Sequence, residues 1–264
     1  MNDDDYRALL DDLRAEHDEL CSLIDPLTDE QWQRPTPAEG WQIRDQVVHL
    51  AFFDDLAVLA TQNEQAFGTA AAELVASGSN WIDAISFDRW NLGSATVLEW
   101  YQRSRQALLD VFSGRGPRQR APWFGPPMSA ASSVTARLME TWAHGQDVAD
   151  ALGVERVPTT RVHHVCHLGV LTRAFSYANR DRTPPDAPIR VELTGVDGSI
   201  LRWGPDDAEQ RIVGSAIDFA LVVTQRRVFA GTALRATDGA ARDWMAIAQA
   251  YAGPPGPGRE SSLA

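Results

Sequence analysis

Apolar residues in the first half of the chain recur at steps of three and four, the period of a helix with one buried face. Leu10, Leu13, Leu20 and Ile24 form such a stripe with His17 inside it, and "DPLTDEQWQRPTPAEG" closes the segment with turn residues. A second predicted helix begins after Gly40 and runs through "WQIRDQVVHLAFFDDLAVLATQN". A third is "SATVLEWYQRSRQALLDVF", bounded by Gly93 and by "SGRGPRQRAPWFGPP". The fourth contains "RLMETWAHGQDVADALG" and stops near Gly153, where a glycine suits a helix C-terminus. Four such helices over residues 1–155 predict an antiparallel bundle whose ligand sites lie between facing helices. The connector "ASGSNWIDAISFDRWNLG" is long for a bundle, as lids and pocket walls are.

Beyond "VERVPTTR" the pattern changes. "VHHVCHLGVLTRAFSYANR" reads as helix, "PIRVELTGVDGSILRWG" alternates and turns like a hairpin at Asp197-Gly198, and "SAIDFALVVTQRR" suits either helix or strand. "AARDWMAIAQAYA" reads as a final helix. The expected architecture is therefore α+β: the helical bundle, a smaller mixed domain over 156–252, and a mobile tail over 253–264.

Composition narrows the function. Hydrophobic residues are 44% of the 264, enough for a real core. The net charge of −12 speaks against nucleic acid and anionic lipid as partners, since both are held by clustered Lys and Arg. The acidic N-terminus is unlike a targeting peptide, and no apolar run approaches the roughly 20 residues that span a bilayer. Two distant cysteines, Cys21 and Cys166, indicate no disulfide framework, and the cytoplasm is the expected compartment.

The chemistry concentrates in the fourth helix, where Glu140, His144 and Asp147 stand at steps of four and three and so share a face. Such a stripe is costly to bury unless a cation satisfies it. The second helix offers His49 among apolar neighbours. If its face points into the bundle, His49, Glu140 and His144 meet as two imidazoles and a carboxylate, a set that suits catalytic zinc with one position open. Nickel, iron or manganese would also accept it. Asp45 lies one turn before His49 and Asp147 one turn after His144; either could orient a ligand imidazole or act on substrate, and Asp147 could ligate. Core packing is the simpler reading of His17, a solvated head that of Arg105, and an ordinary helix that of His163, Cys166 and His167. Trp41, Trp81, Trp90 and Trp142 fall near the supposed site and read first as core.

The segments "GWQIRDQVVHLAFFDD" and "METWAHGQDVADALG" resemble the metal-site signatures of the DinB-like superfamily, and within it the mycothiol-dependent maleylpyruvate isomerase N-terminal domain. That resemblance implies a four-helix bundle holding a divalent metal, usually zinc, on His49, Glu140 and His144. "HLGVLTRAFSYANR", "VTQRR" and "IAQAYAGPPGPGR" resemble the C-terminal domain of actinobacterial relatives, sometimes labelled with wyosine base formation. The tRNA chemistry in that label conflicts with the −12 charge. In the isomerases a C-terminal arginine contributes to the site, and Arg226, with Arg227 beside it, is its nearest counterpart here. The resemblance implies a metal-dependent enzyme using mycothiol, or a similar small thiol, on a small electrophilic substrate, by cis–trans isomerisation or S-transfer. Asp147 and Arg226 are the candidate catalytic residues. A thiol-independent metal-hydroxide hydrolase or lyase, and a non-enzymatic metal or small-ligand binder, are the alternatives.

Overall fold

The computed structural model describes residues 1–78, 81–89 and 91–259, and these divide into two compact units, Met1–Val154 and Glu155–Ala264. In the first unit the helices are α1 (Asp3–Ile24), α2 (Asp29–Trp32), α3 (Ile43–Gln62), α4 (Glu64–Ala76), α5 (Trp81–Asp88), α6 (Ser94–Ser113) and α7 (Ala130–Leu152). Between α6 and α7, β1 (Arg120–Ala121) and β2 (Met128–Ser129) pair antiparallel. The four long helices pack on one another, α1 against α6 and α7, and α3 against α6 and α7. Their shared core includes Leu20, Ile24, Val47, Leu50, Val97 and Val148, each buried.

Local chemistry sets the ends of these helices. Asp45 Oδ2 accepts the Gln42 N–H at 2.8 Å and so starts α3. Gly153 ends α7 at φ 68, its N–H on the carbonyls of Ala149 and Asp150. The connector expected to be a long loop contains α5, because Trp81 and Ile85 of that stretch pack against the core. Trp90, in the same connector, lies outside the described residues.

The second unit holds α8 (Val162–Leu171), α9 (Arg173–Ala178), β3 (Ile189–Thr194), β4 (Ile200–Trp203), β5 (Gln210–Ser215), α10 (Ala216–Val223), β6 (Arg235–Ala236) and α11 (Ala240–Met245). Its sheet runs β4-β3-β5-β6, with β3 antiparallel to β4 and parallel to β5. The predicted hairpin turns at Gly198, which sits at φ 79. "SAIDFALVVTQRR" resolves into strand end, helix α10 and a turn at Gln225, itself at φ 60. Val165, Leu193, Ile212, Phe219 and Trp244 are among the buried core of this unit. The last predicted helix stops at Met245, and the chain beyond is held by its backbone. Asn179 Nδ2 donates to Gly253 O, Arg180 Nη2 to Gly256 O, both at 2.9 Å, and Val228 N to Arg259 O at 2.7 Å. No described helix is long and apolar enough to cross a membrane.

Candidate functional site

α3 and α7 bring three donor side chains to one point. One ligand atom from each of His49, Glu140 and His144 lies within 4.8 Å of the others, and this is the one such His/Cys/Asp/Glu group among the described residues. Glu140 Oε2 is 3.2 Å from His144 Nε2 and 3.8 Å from His49 Nε2. Donors bonded to one tetrahedral zinc at about 2.0–2.1 Å stand roughly 3.3–3.4 Å apart, and both distances to Glu140 lie within about half an ångström of that spacing.

A hydrogen-bond chain orients the ring of His144. Thr36 Oγ1 donates to Trp41 O at 2.9 Å, and the same oxygen accepts from Gln46 Nε2 at 2.8 Å. The Gln46 carbonyl is thereby left for His144, whose Nδ1–H donates to Gln46 Oε1 at 2.5 Å. Nδ1 of His144 is thus committed to Gln46, and its Nε2 faces the Glu140 carboxylate. Burial, then the charge on His144, lowers the His49 pKa to about 4, so the His49 ring is neutral at pH 7. Burial would raise Glu140, but hydrogen bonds from His144 and His49 hold it well below the usual carboxylate range. Glu140 thus accepts from two ring nitrogens, and a divalent metal ion would take the place of those protons on all three groups. The donor set fits a divalent metal.

The remaining predicted residues fall as follows. Asp147 is fully buried, with Oδ2 3.9 Å from His144 Nδ1, so it faces the ring nitrogen opposite Glu140. Asp45 does not orient His49: its Oδ2 caps α3, and His49 Nδ1 is buried without a hydrogen-bond partner among the described residues. Arg226 belongs to the second unit, buried, with Nη1 donating to Thr224 O at 2.8 Å. His17 packs edge-on to Tyr101 in the core and stands 4.0 Å from Asp54. Arg105 pairs with Asp18 at 2.9 Å. His167 Nδ1 accepts from Trp203 Nε1 at 3.1 Å, and Cys166 Sγ donates to Ala216 O. Sequence reasoning missed Gln46 and Phe53, one turn to either side of His49 on its own face, a spacing that could have flagged both. It also missed the buried Arg137–Asp54 pair at 2.8 Å, in which Arg137 Nη2 reaches Leu50 O as well.

Comparison with known proteins gives this geometry a context. The family described as the mycothiol maleylpyruvate isomerase N-terminal domain matches residues 13–149. Uncharacterized proteins from two strains of Mycobacterium tuberculosis are each 44% identical over 248 residues, covering 94% of this chain and 96% of theirs. A crystal structure of the mycothiol-dependent maleylpyruvate isomerase is similar with a TM-score of 0.57, and one of its histidine-to-alanine mutant with 0.59. Each is 11% identical and covers 89% of this chain and 93% of its own, so the likeness is one of fold, helices and sheets together.

Proposed function

This chain belongs to the mycothiol maleylpyruvate isomerase N-terminal domain family, and we propose that it is a divalent-metal enzyme using mycothiol on a small electrophilic alkene. The observation that carries this reading is the convergence of His49 Nε2 and His144 Nε2 on Glu140 Oε2, a ligand set that suits a divalent metal. In it, the four long helices of the first unit act as an antiparallel bundle, His49, Glu140 and His144 hold the metal, and zinc is the first choice.

A bound divalent cation stabilises thiolate over thiol and so supplies a sulfur nucleophile at neutral pH. That sulfur comes from outside the chain, because burial raises the pKa of both Cys21 and Cys166 and keeps them as thiols. Gln46 holds the His144 ring from behind, with Asp147 Oδ2 3.9 Å from the same nitrogen. The hydrogen-bond chain from Gln46 through Thr36 to Trp41 O ties that orientation to the start of α3. Arg226 would hold a carboxylate or a developing enolate oxygen of the substrate, on the strength of the family resemblance. Addition, rotation about the resulting single bond and expulsion of the thiolate would give cis–trans isomerisation; addition followed by return of the thiol proton to the α-carbon would give S-transfer.

The test is turnover of an electrophilic alkene by zinc-loaded protein with and without mycothiol. Turnover that needs both supports the reading. Turnover with metal alone identifies a hydrolase or lyase, with Asp147 as its candidate base, and ligand binding without turnover identifies a binding protein. Arg226→Ala is expected to keep its metal and lose at least 10-fold in kcat/KM, the scale of one charge-assisted contact. Unchanged kcat/KM would remove Arg226 from the mechanism.

A further inference from the structure

Four separate segments of the first unit bring aromatic rings to the side of the histidine–glutamate cluster. Trp41, two residues before α3, lies 5.4 Å from the His49 ring and nearly parallel to His144, at 6.0 Å and 14°. Phe53, one turn after His49 on α3, is 4.6 Å from its ring. Trp81 opens α5, and Trp123 and Phe124 sit in the turn between β1 and β2. Phe53 reaches all three, at 5.8, 6.4 and 6.2 Å. Trp81 and Phe124 stack on each other at 5.2 Å and 28°. Trp81, Trp123 and Phe124 pack against the core on one side, and with Trp41 they each keep part of their surface exposed. The wall is thus apolar, planar-faced, partly exposed and continuous with both imidazoles.

Two carboxylates border it. Asp83 Oδ1 accepts the Trp41 indole N–H at 2.9 Å, and Glu140 lies in the cluster itself. Arg137, whose charge is felt at His49, is engaged by Asp54 and by Leu50 O. The rings themselves offer apolar faces and no charge-assisted donor, so they match an uncharged planar group better than a carboxylate.

We propose that these rings bind an uncharged, planar, apolar group of the electrophilic substrate, an aryl-substituted enone being the type, rather than a small dicarboxylate. This rests on reading the His49–Glu140–His144 cluster as the catalytic centre. Each stacked ring is worth roughly 2- to 10-fold in affinity.

The probes are 4-phenyl-3-buten-2-one, its saturated analogue 4-phenyl-2-butanone, and maleate, titrated against the full chain with zinc. Tryptophan fluorescence and calorimetry read binding, and mycothiol consumption reads turnover. The two phenyl ketones are expected to bind and maleate not to compete. Trp81→Ala and Phe124→Ala should each weaken ketone binding by about 5-fold with zinc content unchanged. Trp100→Phe, which removes an indole bonded instead to Asp55, should leave it as it was. The saturated ketone needs neither metal nor thiol. If it fails to bind, or if both alanine variants bind it as well as wild type, the aromatic wall is overturned even where zinc and thiol turnover stand. If zinc binding or thiol turnover fails while the ketone still binds with the predicted variant losses, the wall stands and the underlying reading falls.

Discussion

At the scale of residues, the polar groups of the first unit form two layers with different demands. Nearer the aromatic wall lies the His49–Glu140–His144 cluster, and one turn away on the same helices lies the pair Asp54–Arg137, both fully or almost fully buried. Burial, opposed by Arg137, pushes the Asp54 carboxyl up to about 6. A folded pKa above the unfolded value of about 3.9 means that the native state holds this proton longer, so this group's contribution to stability falls as pH rises from about 4 to about 6 and is flat above. Asp54→Asn keeps an acceptor for Arg137 Nε and mimics the protonated acid. It should match or exceed wild-type stability near pH 7.5 and lose that advantage near pH 4.5. Arg137→Ala should cost about 3–5 kcal/mol near pH 7.5, because it strands a buried carboxylate, and less near pH 4.5. Urea unfolding at both pH values checks the pair; differences independent of pH would contradict the account. From the sequence, the meeting of His49, Glu140 and His144 is legible because a Glu-xxx-His step and a histidine among apolar residues both point to one buried face. Gln46, Asp54 and Arg137 are not, because each is ordinary on a helix until its partner on the facing helix is known.

At the scale of elements, the long helices are legible because each buries a whole stripe, as Leu9, Leu13, Leu20 and Ile24 do on α1. The short ones are not: α4 buries Phe67 alone, too little apolar rhythm to separate helix from loop. α10 is ambiguous in sequence for the opposite reason. Five of its eight residues are buried, and an apolar run that short suits strand or helix equally. Two glycines mark what the turns need. Gly153 and Gly204 both adopt left-handed backbone, at φ 68 and φ 79. A Cβ on Gly153 would meet nothing within 4 Å, whereas one on Gly204 would lie 2.1 Å from Ile189 O. Gly153→Ala should therefore cost only the conformational penalty, about 1–2 kcal/mol, and Gly204→Ala clearly more, since the backbone at the β3–β4 edge must also move. Thermal unfolding of the two variants in parallel tests this, and equal losses would contradict it.

At the scale of the whole molecule, an acidic chain with two compact units and an isomerase-type fold carries its recognisable chemistry in the first unit. The charge and the family resemblance were both readable from residues, whereas the orientation of His144 depends on Gln46, 98 positions away, and the aromatic wall on rings from four separate segments. The central claim is that His49, Glu140 and His144 hold a divalent metal. It is tested most directly by elemental analysis of the purified chain beside His49→Ala and Glu140→Ala variants of confirmed fold. The account predicts about one divalent metal ion per wild-type chain and essentially none in either variant, since a three-ligand site does not survive the loss of one. Equal metal in all three proteins, or none in the wild type after reconstitution with zinc, would contradict it.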